Sequence, residues 1–150
     1  MQKIVPYLWF NTQAEEAARF YTSLFNDAEV LSVTPGPDGK VMSVSFQLEG
    51  QEFIALNGGP QYHFTEAVSF FVKCETQEEV DRLWGQLTDN GEEGRCGWLK
   101  DKYGLSWQII PNALGELLQG NDPEKSGRAM QAMLKMQRII IHDLQEAYDG

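Results

Sequence analysis

Two stretches decide the fold. They are Thr12-Gln13-Ala14-Glu15-Glu16-Ala17-Ala18-Arg19-Phe20-Tyr21-Thr22-Ser23-Leu24 and Thr76-Gln77-Glu78-Glu79-Val80-Asp81-Arg82-Leu83-Trp84-Gly85-Gln86-Leu87. In the first, Ala14, Ala17, Ala18, Tyr21, Leu24 and Phe25 recur at spacings of three and four, one apolar stripe along a helix. In the second, Val80, Leu83, Trp84 and Leu87 do the same. Glu15-Glu16, Arg19, Tyr21 and Leu24 are matched 63 positions on by Glu78-Glu79, Arg82, Trp84 and Leu87. Shared cap and acidic first-turn chemistry explains part of this likeness, because acceptors and anions suit any helix N-terminus. A strand before each helix and a hairpin after each extend it, and together they predict a structural duplication.

Outward from the helices, Ile4 to Phe10 is β-branched and aromatic and stops at Asn11-Thr12, a turn-and-cap pair. Asn26-Asp27 ends the first helix, Glu29 to Thr34 reads as a short strand, and Pro35-Gly36-Pro37-Asp38-Gly39 is a loop. Val41 to Leu48 alternates, Glu49-Gly50 turns, and Gln51 to Asn57 runs back, pairing Phe46 with Phe53, Val44 with Ala55 and Met42 with Asn57. After Asn57-Gly58-Gly59-Pro60 and a loop the plan restarts. Ala67 to Cys74 is a strand, Thr76 caps the second helix, and Arg95 to Lys100 with Leu105 to Ile110 forms a second hairpin. Asp122-Pro123 places a cap and an N1 proline. Ala129, Met133, Met136, Ile140 and Leu144 then repeat at helical spacing, with Gly127 and Ile139-Ile140-Ile141 as places for a break. The expected architecture is one α+β domain over 1–150. Tandem βαβββ modules (1–60 and 66–111) form a curved mixed sheet backed by helices, and a helical tail (112–150) packs on the domain or on a partner subunit.

Composition narrows the function. At 150 residues, 42% hydrophobic and 23% charged, this is a globule and not a disordered tail. No apolar run approaches the ~18 residues of a membrane span. Met-Gln-Lys-Ile-Val-Pro-Tyr lacks a signal peptide's basic start and apolar stretch, and two cysteines make no disulfide framework. A cytoplasmic location is expected. Acidic residues outnumber basic ones 22 to 12, a formal charge of −10, which disfavours nucleic acid and membrane surfaces as partners.

Further motifs carry a family resemblance. Pro6-Tyr7-Leu8-Trp9-Phe10 leads into Ala14-Glu15-Glu16-Ala17-Ala18-Arg19-Phe20-Tyr21. Later come Ala55-Leu56-Asn57-Gly58-Gly59-Pro60, Cys96-Gly97-Trp98-Leu99-Lys100-Asp101 and Tyr103-Gly104-Leu105-Ser106-Trp107-Gln108. Together these resemble the PhnB-like branch of the vicinal oxygen chelate superfamily, which holds glyoxalase I, extradiol dioxygenases and bleomycin-resistance proteins. Members of this branch are commonly labelled demethylubiquinone methyltransferase-like. The resemblance implies paired βαβββ modules, a homodimer, and a site in the sheet's concavity. In catalytic members it implies a divalent metal held by histidine and glutamate from the first and last strand of each module. Mapped strand by strand, those places fall at Pro6, about Ala55, Ser69 and Gln108. Proline and alanine cannot ligate, and serine and glutamine are weak, neutral donors. His63 and His142 are read as having no neighbouring ligand at metal spacing, so neither a metal nor a cofactor is expected. No glycine-rich strand-to-helix loop of the kind that cradles S-adenosylmethionine is present either.

If Pro6 and Gln108 face the concavity, as the resemblance implies, then Leu8, Phe10, Ser106 and Ile110 face it too. The candidate ligand-binding residues are Leu8, Phe10, Phe46, Phe53, Asn57, Ser69, Phe71 and Gln108. This lining is apolar and aromatic with three polar points, which suits a small aromatic or apolar ligand. Trp9 and Trp107 fall on the opposite parity and are expected beneath the helices. Whether Trp98 or Leu99 points inward stays open, and a one-residue slip exchanges the faces. Cys96, between Arg95 and Gly97, is read as a passive thiol or a nucleophile. Three functions remain: a metal-free, homodimeric small-molecule-binding protein; an enzyme on a small organic substrate; or a structural or regulatory dimer whose concave face is filled by packing.

Overall fold

The computed structural model describes residues 2–150 and divides into two compact units, the first ending at Phe64 and the second spanning Thr65–Gly150. The first unit contains β1 (Tyr7–Phe10), α1 (Ala14–Thr22), β2 (Ala28–Pro35), β3 (Val41–Leu48) and β4 (Gln51–Asn57). The second contains β5 (Ser69–Cys74), α2 (Gln77–Thr88), β6 (Glu92–Glu93), β7 (Trp98–Lys100) and β8 (Ser106–Pro111). Each forms a four-stranded mixed sheet of the same topology, β1-β4-β3-β2 and β5-β8-β7-β6. In both, the first strand runs parallel to the last and the other pairs are antiparallel. The fold is α+β with two βαβββ-like modules. The first hairpin closes as expected: Glu49 and Gly50 both take positive φ (50° and 90°), the backbone of a two-residue turn that follows the strand twist. Phe46 then pairs with Phe53 and Val44 with Ala55.

The two helices start differently. Thr76 Oγ1 accepts the Glu79 N–H at 3.1 Å, and the Glu79 carboxylate accepts the Glu75 N–H at 2.8 Å, a side-chain cap of the expected kind. Helix α1 has Gln13 at its N-cap and no side-chain cap of its own, which corrects the assignment of that role to Asn11-Thr12. A distant residue does the work. Asn57 Oδ1, at the end of β4, accepts the Ala14 N–H at 2.8 Å, and its Nδ2 donates to the Val41 carbonyl at 3.1 Å.

The difference has a consequence for the strands. One residue, Glu75, lies between β5 and its helix cap, whereas two, Asn11 and Thr12, lie between β1 and Gln13. The helices therefore repeat at 63 and the first strands at 64. Exposed Tyr7 corresponds to exposed Phe71, and buried Phe10 to buried Cys74. The register agrees, since Tyr7 pairs with Ile54 where Phe71 pairs with Gln108. Hence the expected orientation of the first module is reversed. Leu8, Phe10, Phe46, Phe53, Val44 and Ala55 are buried on the face that α1 covers, where Tyr21 meets the Phe46 ring at 6.3 Å. Trp9 lies on the opposite face and not beneath the helix. In the second unit the expectation holds for Trp107, which is 1% exposed and shares the α2 side with Leu99 and Ile109. That also settles the last hairpin: Leu99 points to the core and Trp98 to the open face.

The tail forms α3 (Asn112–Leu118), α4 (Pro123–Met133) and α5 (Ile141–Asp149). Asp122 caps α4 as expected, accepting the Glu124 and Lys125 N–H groups. The helix runs through Gly127, one expected break, and stops over Leu134–Ile140, which takes in the other at Ile139–Ile140, because other groups claim that backbone. Cys96 N–H donates to the Met136 carbonyl and Gly97 N–H to that of Gln137, at 2.9 and 2.8 Å. The Gln77 amide clasps the rest, donating to Ile139 O at 2.9 Å and accepting from Ile141 N–H at 2.7 Å. Ile110, Leu114, Ile139 and Leu144 form the core of this region. Among the described residues no helix is long and apolar enough to cross a membrane.

The Asn57 amide joins three elements. Asn57→Ala leaves the Ala14 N–H and the Val41 carbonyl without their partner and is expected to cost about 1–3 kcal/mol. Asn57→Asp, which keeps the acceptor and loses the donor, is expected to cost less. Urea denaturation midpoints of the three proteins check both.

Candidate functional site

Each sheet has one face under its helix. On the other face of the second sheet Ile110, two residues beyond Gln108 and expected to line the concavity, is taken into the tail's core, and the helices leave the rest. In the first unit the uncovered face carries Tyr7, Trp9, Ile54 and Leu56. The chain fills part of it: Trp9 Nε1 donates to the Gly59 carbonyl at 2.9 Å, and Tyr62 meets the Trp9 ring edge-on at 4.8 Å. Gly58 sits so close that a Cβ there would lie 2.3 Å from the Trp9 ring. The segment after β4 thus closes over the indole.

The second unit's uncovered face is more polar and more open. Register places Phe71, Gln108 and Trp98 in one row across β5, β8 and β7, and Ser69, Ser106 and Lys100 in the next. Gln108 Nε2 donates to Ser69 Oγ at 3.0 Å, which leaves the Gln108 carbonyl and the Ser69 hydroxyl proton for other partners. Phe71 is 54% exposed, while Trp98, Gln108 and Ser69 are half-buried. Lys100 Nζ pairs with Glu66 Oε1 at 3.2 Å. The backbone N–H of Glu66 and then Lys100 hold the Glu66 carboxyl below the usual carboxylate range. An exposed pair of this kind is screened by water and adds little to stability. Ser106 is 1% exposed, and its Oγ is, among the described residues, the buried side-chain polar atom left without a hydrogen bond. An unmade bond of that kind costs about 1–3 kcal/mol.

Three of the eight candidate residues therefore come together on an open face: Ser69, Phe71 and Gln108. Leu8, Phe10, Phe46 and Phe53 come together in the α1-covered core, and Asn57 is committed to Ala14 and Val41. Trp98, whose facing the sequence leaves open, stands beside the first three, as do Lys100 and Glu66, which are not among the sequence candidates. The signal for Trp98 lay in the Asp101–Leu105 turn. Buried Asp101 accepts the Tyr103 and Leu105 N–H groups and the Trp107 indole N–H, which locks the register that sets Trp98 opposite Gln108.

Histidine needs one correction. Glu146 stands four residues beyond His142, its carboxylate 2.8 Å from Nε2, and Asp143 is close by. All three are exposed on α5, so the spacing overlooked in the sequence exists. Where the fold's metal ligands belong, the residues do not fit an ion. Ser69 and Gln108 bond to each other, and the register counterpart of Gln108 in the first unit is Ile54. The one acidic side chain in that part of the first sheet, Glu52, has no imidazole on the strands beside it. S-adenosylmethionine chemistry fares no better. The turns β1–α1 and β5–α2 contain no glycine, and their helix N-termini already bind Asn57, Thr76 and Glu79.

Residues 2–110 match the profile of the 3-demethylubiquinone-9 3-methyltransferase family. The chain belongs to that family. The PhnB protein from Bacillus cereus is 38% identical to it, over 73% of this chain and 99% of that one, with a TM-score of 0.69. A Pseudomonas aeruginosa protein shares the fold at 21% identity, covering 74% of this chain and 98% of its own, TM-score 0.60. A gene product from Arabidopsis thaliana does so at 18% identity, 71% and 96% coverage, TM-score 0.51. No curated protein matches. This PhnB-like chain thus has the vicinal oxygen chelate fold, and its tail helices lie outside the family match.

The two thiols differ. Burial pushes the Cys74 thiol up to about 12, Glu79 adds to the rise and Arg82 opposes it, so this thiol stays protonated and unreactive near neutral pH. Cys96 is half-buried in a loop. At pH 8 a thiol reagent is expected to titrate Cys96 alone in the native protein and both cysteines in guanidinium. Because a thiol with a raised folded pKa favours the protonated native state, this contribution to stability falls as pH rises from about 9 toward 12.

Proposed function

We propose that this PhnB-like protein binds a small aromatic molecule on the open face of its second sheet and uses no metal to do so. One observation carries the reading: the Gln108 amide is flanked across both neighbouring strands by the rings of Phe71 and Trp98. Two rings offer stacking or edge contacts, and the amide with Ser69 offers oriented hydrogen bonds. Apolar Ile4, Tyr7 and Tyr62 of the first unit, and Val68 of the second, are largely exposed, and such exposure supports a homodimer that covers some of them. The methyltransferase activity in the family's name is the second reading. The occupied helix N-termini argue against an S-adenosylmethionine site, and Phe71, Trp98 and Gln108 hold no group suited to abstract a proton.

Calorimetric titration with 2-naphthamide, an uncharged bicyclic probe, tests the site. Phe71→Ala or Gln108→Ala is expected to weaken binding about tenfold, equivalent to ~1.4 kcal/mol. Loss of neither contact's effect, or no binding to the native protein, refutes the placement. Elemental analysis after purification without chelator is expected to find no stoichiometric divalent ion, and S-adenosylmethionine is expected to leave Tm unchanged. A full equivalent of zinc, nickel, iron or manganese overturns the metal-free reading.

A further inference from the structure

The second row of this open face has an arrangement that ring-stacking does not use. Ser69, Ser106 and Lys100 stand side by side on β5, β8 and β7, and Glu66 lies three residues before Ser69. Lys100 Nζ meets Glu66 Oε1 at 3.2 Å although two strand spacings of about 4.8 Å separate β7 from β5. Between Ser69 and Lys100 in this row the Ser106 hydroxyl is buried with no hydrogen bond. Glu66 itself is exposed (65% for its side chain), so nothing but this contact holds its carboxylate there apart from the local backbone.

We propose that Glu66 is an internal stand-in for the anionic group of a ligand, and that the open face of the second unit takes aromatic carboxylates. The ligand's carboxylate displaces Glu66, pairs with Lys100, and accepts the Ser106 hydroxyl proton that has no partner in the free protein. Its ring lies in the adjacent row between Phe71 and Trp98. The inference rests on the binding site proposed above and adds the charge of its ligand. The chain's net charge of −10 opposes an anion at a distance. That repulsion is screened within about 8 Å at physiological ionic strength, whereas the Lys100 contact is direct and reinforced by a hydroxyl donor.

Calorimetry on the full chain with 2-naphthoate and its neutral isostere 2-naphthamide tests this. The carboxylate is expected to bind about tenfold tighter than the amide, as a charge-assisted contact should. Glu66→Gln removes the competitor and is expected to strengthen naphthoate several-fold while leaving naphthamide unchanged; because Glu66 is exposed, this variant keeps the fold. Lys100→Gln is expected to erase the preference, and Ser106→Ala to reduce it. If naphthamide binds as tightly as naphthoate, or Glu66→Gln weakens naphthoate, the stand-in is wrong and the aromatic site survives. If neither probe binds, both fall together.

Discussion

In each unit one helix covers one face of a four-stranded sheet, and the alternation of a strand forces everything else. Because successive side chains point to opposite faces, covering one face assigns every strand residue either to the core or to the outside. In the first unit α1 takes Leu8, Phe10, Phe46 and Phe53 into the core. In the second α2 takes Leu99, Trp107 and Ile109. Phe71, Gln108 and Trp98 are left on the other face of the second sheet, which is why two rings and an amide stand together there.

The units have the same topology and different outer faces. Trp9 is roofed by the chain's own Gly58–Tyr62 segment. Gln108, by contrast, keeps a free carbonyl oxygen after bonding Ser69. The first- and last-strand positions that the family resemblance assigns to metal ligands carry, in the second unit, Ser69 and Gln108, which bond each other.

The strands, both helices and the first hairpin were legible because their patterns are local: stripes at three and four, alternation at two, and a Glu49-Gly50 turn with both residues at positive φ. Of the tail's two expected break places, Gly127 stays helical and the Ile139–Ile140 run lies in the break, whose full extent, Leu134–Ile140, is held out of a helix by Gln77 and by the Cys96–Gly97 backbone, partners that no local pattern announces. The site was half legible. Ser69 and Gln108 follow from mapping the family's strands onto the sequence and Phe71 from strand alternation, whereas the facing of the first-module residues turns on two residues, Asn11-Thr12, standing where the second module has one, Glu75.

The sequence by itself determined the duplication, the secondary structure, the family and the scarcity of metal-binding side chains, because each follows from residue type and spacing. Tertiary structure alone decided which face of each sheet its helix covers, that Asn57 accepts the first N–H of α1, and that Lys100 meets Glu66. The physical reason is that facing is a parity, reversed by a single residue in a connection, and parity is settled only when a helix and a strand pack together.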